Sequence, residues 1–148
     1  MAVRTLLKMG DLRLYQIAEA VQDVQADFVK EIIGDMYDTM LKNLGAGLAA
    51  PQIGFNYRII IFGVPTPRYA DINDVPPETV LINPEVTVLT QETESYWEAC
   101  LSVPTLRGLV ARPTHIAYRG YDPQGRLIER EATGFHARVV QHLSLIHI

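Results

Sequence analysis

The 148-residue sequence has little that would staple or anchor a fold. It holds one cysteine, Cys100, so no internal disulfide can form. Its densest apolar run, residues 59–64, is far too short to cross a bilayer. The N-terminal stretch 1–11 has no apolar block of signal-peptide length. A lone thiol without an export signal predicts a reducing, cytoplasmic setting and no membrane association. Excess positive charge is also lacking. A net charge of -4 and a pI near 5.5 argue against a broad footprint for nucleic acid or anionic lipid, although a local basic patch stays open. There is no internal repeat, low-complexity tract or charge run long enough for a tail.

What is present fits an ordinary globular protein, with 48% hydrophobic and 20% charged residues. The length suits one domain that buries its core without a structural metal. Over residues 25–44, Phe28, Ile32, Ile33, Met36, Met40 and Leu44 recur at helical spacing opposite Asp27, Lys30, Glu31, Asp35, Asp38 and Lys42. Gly45 then supplies the expected stop. Strands are expected at 58–64, 80–82 and 86–90, the last two separated by the breaker Asn83-Pro84, with a proline-rich surface loop over 65–77. Asp122-Pro123-Gln124-Gly125 is a turn between strands 115–121 and 126–131. Beyond Gly134, a second helix puts Phe135, Val139 and His142 on one face. Together these predict an α+β fold, an N-terminal helix and mostly antiparallel sheets around a C-terminal helix.

Two stretches carry chemistry. In Trp97-Glu98-Ala99-Cys100-Leu101-Ser102-Val103-Pro104, the thiol is a packed hydrophobe, a reactive nucleophile or a metal ligand, and polar Glu98 and Ser102 with small Ala99 favour a site. The second, 45–54, reads GAGLAAPQIG. Gly45, Gly47 and Ala50 fit a relaxed dinucleotide fingerprint, but a helix precedes them and Pro51 follows, the wrong order for phosphate binding. The remaining reading is an extended small-residue strand open to a peptide-like ligand and ending in the amide of Gln52.

In these motifs the chain resembles the peptide deformylases, whose members carry GxGLAAPQxG, EGCLS and QHExDH in that order. The first is complete here, and the second departs only at Ala99. The resemblance implies removal of the formyl group from N-formylmethionine of nascent polypeptides, with transient ribosome proximity and a divalent ion, Fe2+ first and Zn2+ by ligand type. It assigns Cys100 and His142 to the metal, Gln52 and the Leu101 backbone N–H to the oxyanion, and the Gly47 backbone to the first peptide unit. Phe135 and Val139 would form the methionine pocket, and Glu98 would support the metal ligands.

The third motif begins with Gln141-His142 and then departs, with Leu143 at the general base and Ile146 at the last metal ligand. His147 cannot substitute, because on a regular helix i+4 separates side chains by about 40° and i+5 by about 140°. Residues 143–148 read as one frame of a transposon-end adaptor used in sequencing libraries. The expected organisation is therefore one incomplete domain over 1–142, a foreign tail over 143–148, and weak or absent activity. A non-catalytic peptide-binding module of the same fold is the alternative. A metal-free thiol hydrolase ranks last, with His115, His136 and His142 as candidate bases that sequence cannot place; otherwise His115 and His136 are surface or packing residues.

Overall fold

The computed structural model describes residues 2–147. Its elements are α1 (Asp27–Lys42), β1 (Gly47–Ala49), β2 (Ile59–Phe62), β3 (Thr79–Val88), β4 (Thr93–Cys100), β5 (Val103–Pro113), β6 (His115–Tyr121), β7 (Leu127–Thr133) and α2 (Gly134–Ile146). Five strands form one antiparallel sheet in the order β1-β2-β3-β6-β7, and β4-β5 form a separate ribbon. This is the expected α+β architecture.

Alternation along the strands divides the core in two. Leu48, Ile59, Ile61 and Ile82 face α1, packing on Val29, Ile32, Met36 and Met40. Ala49, Ile60, Phe62 and Leu81 face the other way, onto Ala137, Val139, Val140 and Leu143 of α2. The sheet thus lies between the two helices, and all four residues of β2 are buried because both its faces are covered. β1 pairs with β2 along one side, which leaves its other side as a sheet edge.

Four local expectations are corrected. Phe28 and Leu44 are exposed rather than part of the α1 stripe, which turns instead through Val29, while Asp35 of the expected polar face is buried. That carboxylate is held by Arg4 Nε at 2.7 Å and the Ala2 N–H at 2.7 Å. The stop after α1 falls on Leu44, whose φ is 53°. Leu44 N–H donates to Leu41 O, and Gly45 N–H reaches back to Met40 O at 3.1 Å, the double bond of a Schellman end. The pair Asn83-Pro84 does not split a strand, since β3 runs through it with a register shift between Ile82 and Glu85. Asn83 takes φ 55° there, and its amide bonds both backbone groups of Val21. The small-residue strand is shorter than expected: β1 ends at Ala49, and Gln52 sits on a 3-10 turn, Ala50–Ile53.

Candidate active site

The edge of β1, the ribbon and α2 meet around a cleft of about 360 Å³. It takes in Gly47, Gln52, Glu98, Cys100, Leu101, Phe135, Val139 and His142, the residues to which the family resemblance gives a role. Three elements deliver the polar side chains. Glu98 and Cys100 are two apart on β4 and share a face. From α2, Arg138 and His142 are four apart and share another, with Phe135 one turn earlier. The turn after β1 supplies Gln52.

Glu98 is the hub. Its carboxylate accepts a fork from Arg112, Nε and Nη2 each at 2.7 Å, a third bond from Arg138 Nη1 at 2.7 Å, and a contact with His142 Nδ1 at 3.0 Å. Burial pushes this carboxyl up, but Arg112, His142 and Arg138 outweigh it and hold it well below the usual carboxylate range. Arg138, itself buried, also donates to the carbonyls of Val110 and Glu94, so it pins the ribbon to α2.

With Nδ1 committed to Glu98, His142 keeps Nε2 for the cleft. Burial lowers its pKa, yet Cys100 and Glu98 raise it to about 9. Burial likewise pushes the Cys100 thiol up, while His142 and the N–H groups of Ser102 and Val103 bring it below its ordinary value. Thiol and imidazole therefore stabilise each other's charged forms. The Gln52 amide is fixed at both ends: Oε1 accepts from Ala49 N–H at 2.9 Å, and Nε2 donates to Ser102 Oγ at 3.1 Å and Cys100 Sγ at 3.5 Å. Gln52 is 2% exposed.

Two glycines of the first motif lie close against their neighbours. A Cβ on Gly47 would lie 2.7 Å from Leu143 Cδ1 and 3.0 Å from Ile61 O, and one on Gly45 would lie 2.8 Å from Leu101 Cδ1. Tyr69 of the 65–77 loop is buried edge-on to Phe135, with ring centroids 5.8 Å apart.

The donor set of the cleft falls short of a three-ligand metal site. Cys100 and His142 adjoin, but both oxygens of Glu98 are already engaged. Among the described residues no group of three His, Cys, Asp or Glu side chains could hold an ion. The two further positions on α2 are hydrocarbon: Leu143 is buried against Gly47, and Ile146 packs on the apolar cluster between α2 and the sheet. The residues present do not make a complete catalytic metal site, which takes three protein ligands and an open position. His147 does not complete it. Its ring is buried beside Ile59 and Arg58, with Nε2 lacking a partner. His115 pairs with Glu131 on the β6-β7 hairpin at 2.9 Å, and His136 bonds Tyr118 Oη at 2.8 Å, so neither serves Cys100.

Arg112 and Arg138 were not singled out in the sequence, whereas Ser102, noted there as a polar neighbour of the thiol, accepts from the Gln52 amide. Arg138 was within reach of the helix-face argument that found Val139 and His142, because it lies four residues before His142. Arg112 had no such signal, since the ribbon that carries it was not expected.

Residues 3–144 match the family model described as polypeptide deformylase. Peptide deformylase 1 of Bordetella pertussis is 52% identical over 141 residues, covering 95% of this chain and 80% of that protein. Peptide deformylase 2 of Ralstonia nicotianae is also 52% identical, with 95% and 79% covered. Among solved structures, a class I type b peptide deformylase from Acinetobacter baumannii with Met-Ala-Ser bound superposes with a TM-score of 0.90 at 34% identity, covering 99% of this chain and 93% of that one. The Thermotoga maritima enzyme gives 0.86 at 29% identity, with 99% and 92% covered.

Proposed function

Because the chain belongs to the polypeptide deformylase family, we propose that its cleft receives the N-formylmethionyl end of a nascent polypeptide. The observation that carries this is the convergence of the Gln52 amide, the Cys100 thiol and the His142 imidazole beside the sheet edge at Gly47. In this reading the peptide lies along the edge, its first amide pairing with the Gly47 backbone. The methionine side chain enters between Phe135 and Val139, where apolar walls favour a thioether. The formyl oxygen meets the Gln52 amide and the Leu101 N–H, donors suited to a developing oxyanion. Glu98 keeps His142 oriented through Nδ1.

Cys100 and His142 are the side chains that the family resemblance gives to a divalent ion, ferrous iron first and zinc by ligand type. In a complete site such an ion would supply hydroxide near neutral pH. With Leu143 and Ile146 at the base and third-ligand positions, this chain binds and orients the peptide but has no group there to take the proton. Loss of a general base alone lowers rates by a factor of about 100 to 10,000. The reading places the work in the cytoplasm near the ribosome, supported by the single thiol and the family's substrate class; no helix among the described residues is long and apolar enough to cross a membrane. We also hold residues 143–148 to be foreign to the coding sequence, a reading that resequencing of the source locus decides.

The test is formate release from formyl-Met-Ala-Ser under anaerobic iron loading, beside the Bordetella relative. We expect turnover lower by at least the factor of about 100 that a lost base implies. Turnover equal to the relative's would overturn the proposed defect.

A further inference from the structure

The proposed chemistry makes no use of residues 6–9, yet they bond to both sides of the cleft. Leu6 and Leu7 are buried and fix this strap to the body of the protein. Leu7 N–H donates to Gln52 O at 2.8 Å, and Met9 N–H donates to Ser102 O at 2.7 Å. Between them, Lys8 Nζ reaches Leu101 O at 3.4 Å. The strap is tied upstream to α1, where Arg4 N–H meets Thr39 Oγ1 at 2.8 Å and Arg4 Nε meets Asp35 Oδ2 at 2.7 Å.

Gln52 and Leu101 stand on separate elements, the turn after β1 and the turn between β4 and β5. Their side-chain ties are the contacts of Gln52 Nε2 with Ser102 Oγ at 3.1 Å and Cys100 Sγ at 3.5 Å. Both use the amide hydrogens that a formyl oxygen needs, and an amide has only two. When a ligand takes one, the side-chain tie weakens. The strap bonds instead to backbone carbonyls on each turn, so it holds the two turns together without consuming a donor.

We propose that the strap Leu7–Met9 is a positioning device, setting the separation at which the Gln52 amide and the Leu101 N–H both reach one formyl oxygen. It thereby governs how strongly the cleft prefers a formylated over an unformylated methionyl peptide. The inference rests on the peptide-binding reading above, and its test separates the two.

Affinities for formyl-Met-Ala-Ser and Met-Ala-Ser are measured with the full chain by calorimetry, with Trp97 fluorescence in parallel because this sole tryptophan lines the cleft. Met9→Pro removes the donor at a side chain that is 64% exposed, and Met9→Leu keeps it. We expect Met9→Pro to lower the formyl preference about threefold to tenfold, the effect of one weakened hydrogen bond, with Met-Ala-Ser affinity unchanged. Met9→Leu should match the parent. A glycine inserted between Lys8 and Met9, which takes the same donor out of register, should lower the preference too and serves if the proline variant does not fold. An unchanged preference in the folded variants, or an equal loss for both peptides, would overturn the proposal. A parent chain that binds neither peptide would refute the peptide-binding reading instead. The strap is then judged by hydrogen exchange without ligand: faster exchange at residues 101–103 in Met9→Pro than in Met9→Leu supports it, and equal exchange defeats it.

Discussion

At the scale of single residues, most of the chemistry of the cleft was legible because it sits in two ordered motifs, whereas the charges that hold it rigid were not. Cys100, Gln52 and His142 stand in the motifs that carry the family resemblance, and type and spacing alone read the thiol and the imidazole as packing residues. The guanidiniums of Arg112 and Arg138 look like any surface cation until the ribbon folds them onto Glu98. His147 shows the reverse case, an imidazole that spacing correctly kept out of the site. Burial lowers its pKa to about 4. The neutral ring is the folded form, so the unfolded chain binds the extra proton between its ordinary value of 6.5 and about 4. The associated stability is intact above pH 6.5 and is lost as pH falls toward 4. The depressed value corresponds to about 3 kcal/mol at most. Urea titrations at a series of pH values should show this fall in the parent and a smaller one in His147→Phe; identical curves would contradict it.

At the scale of elements, the helices and the β6-β7 hairpin followed from periodicity and turn chemistry, but two glycine and proline signals misled. Gly45 reads as a helix stop, yet Leu44 adopts the left-handed conformation, while Gly45 lies against the end of the Leu101 side chain. Pattern alone cannot separate a glycine kept for its dihedral from one kept for its size. A non-glycine residue in that conformation costs about 1–2 kcal/mol, and the Leu44 side chain is exposed, so little packing is lost on removing it. Leu44→Gly should therefore stabilise the chain by about 0.5–1 kcal/mol after the entropy cost of glycine. A higher thermal midpoint checks this, and a lower one would mean that the leucine packs more than its exposure indicates. Asn83-Pro84 misled in the same way: the breaker residues make an irregularity inside β3, with the Asn83 amide supplying bonds to Val21 that the ladder does not.

At the scale of the whole molecule, the α+β class and the place of α2 were foreseeable, because an amphipathic helix on each side of a buried strand leaves few packings. The ribbon was not. Most of β4 and β5 is exposed, so neither strand has the apolar alternation that betrays a half-buried sheet. Yet the ribbon carries Glu98 and Cys100 and closes the cleft against α2 through Arg138. The fold thus brings Gly47, Gln52, Glu98, Cys100 and His142 to one cleft, while the positions on α2 proposed for the base and the third ligand hold Leu143 and Ile146. The most direct measurement is formate release by the double variant Leu143→Glu, Ile146→His, loaded with iron without oxygen, beside the parent and a Cys100→Ala form of the double variant. The account predicts a gain of at least about 100-fold over the parent, abolished by Cys100→Ala. A folded double variant that binds iron yet stays as slow as the parent would contradict it.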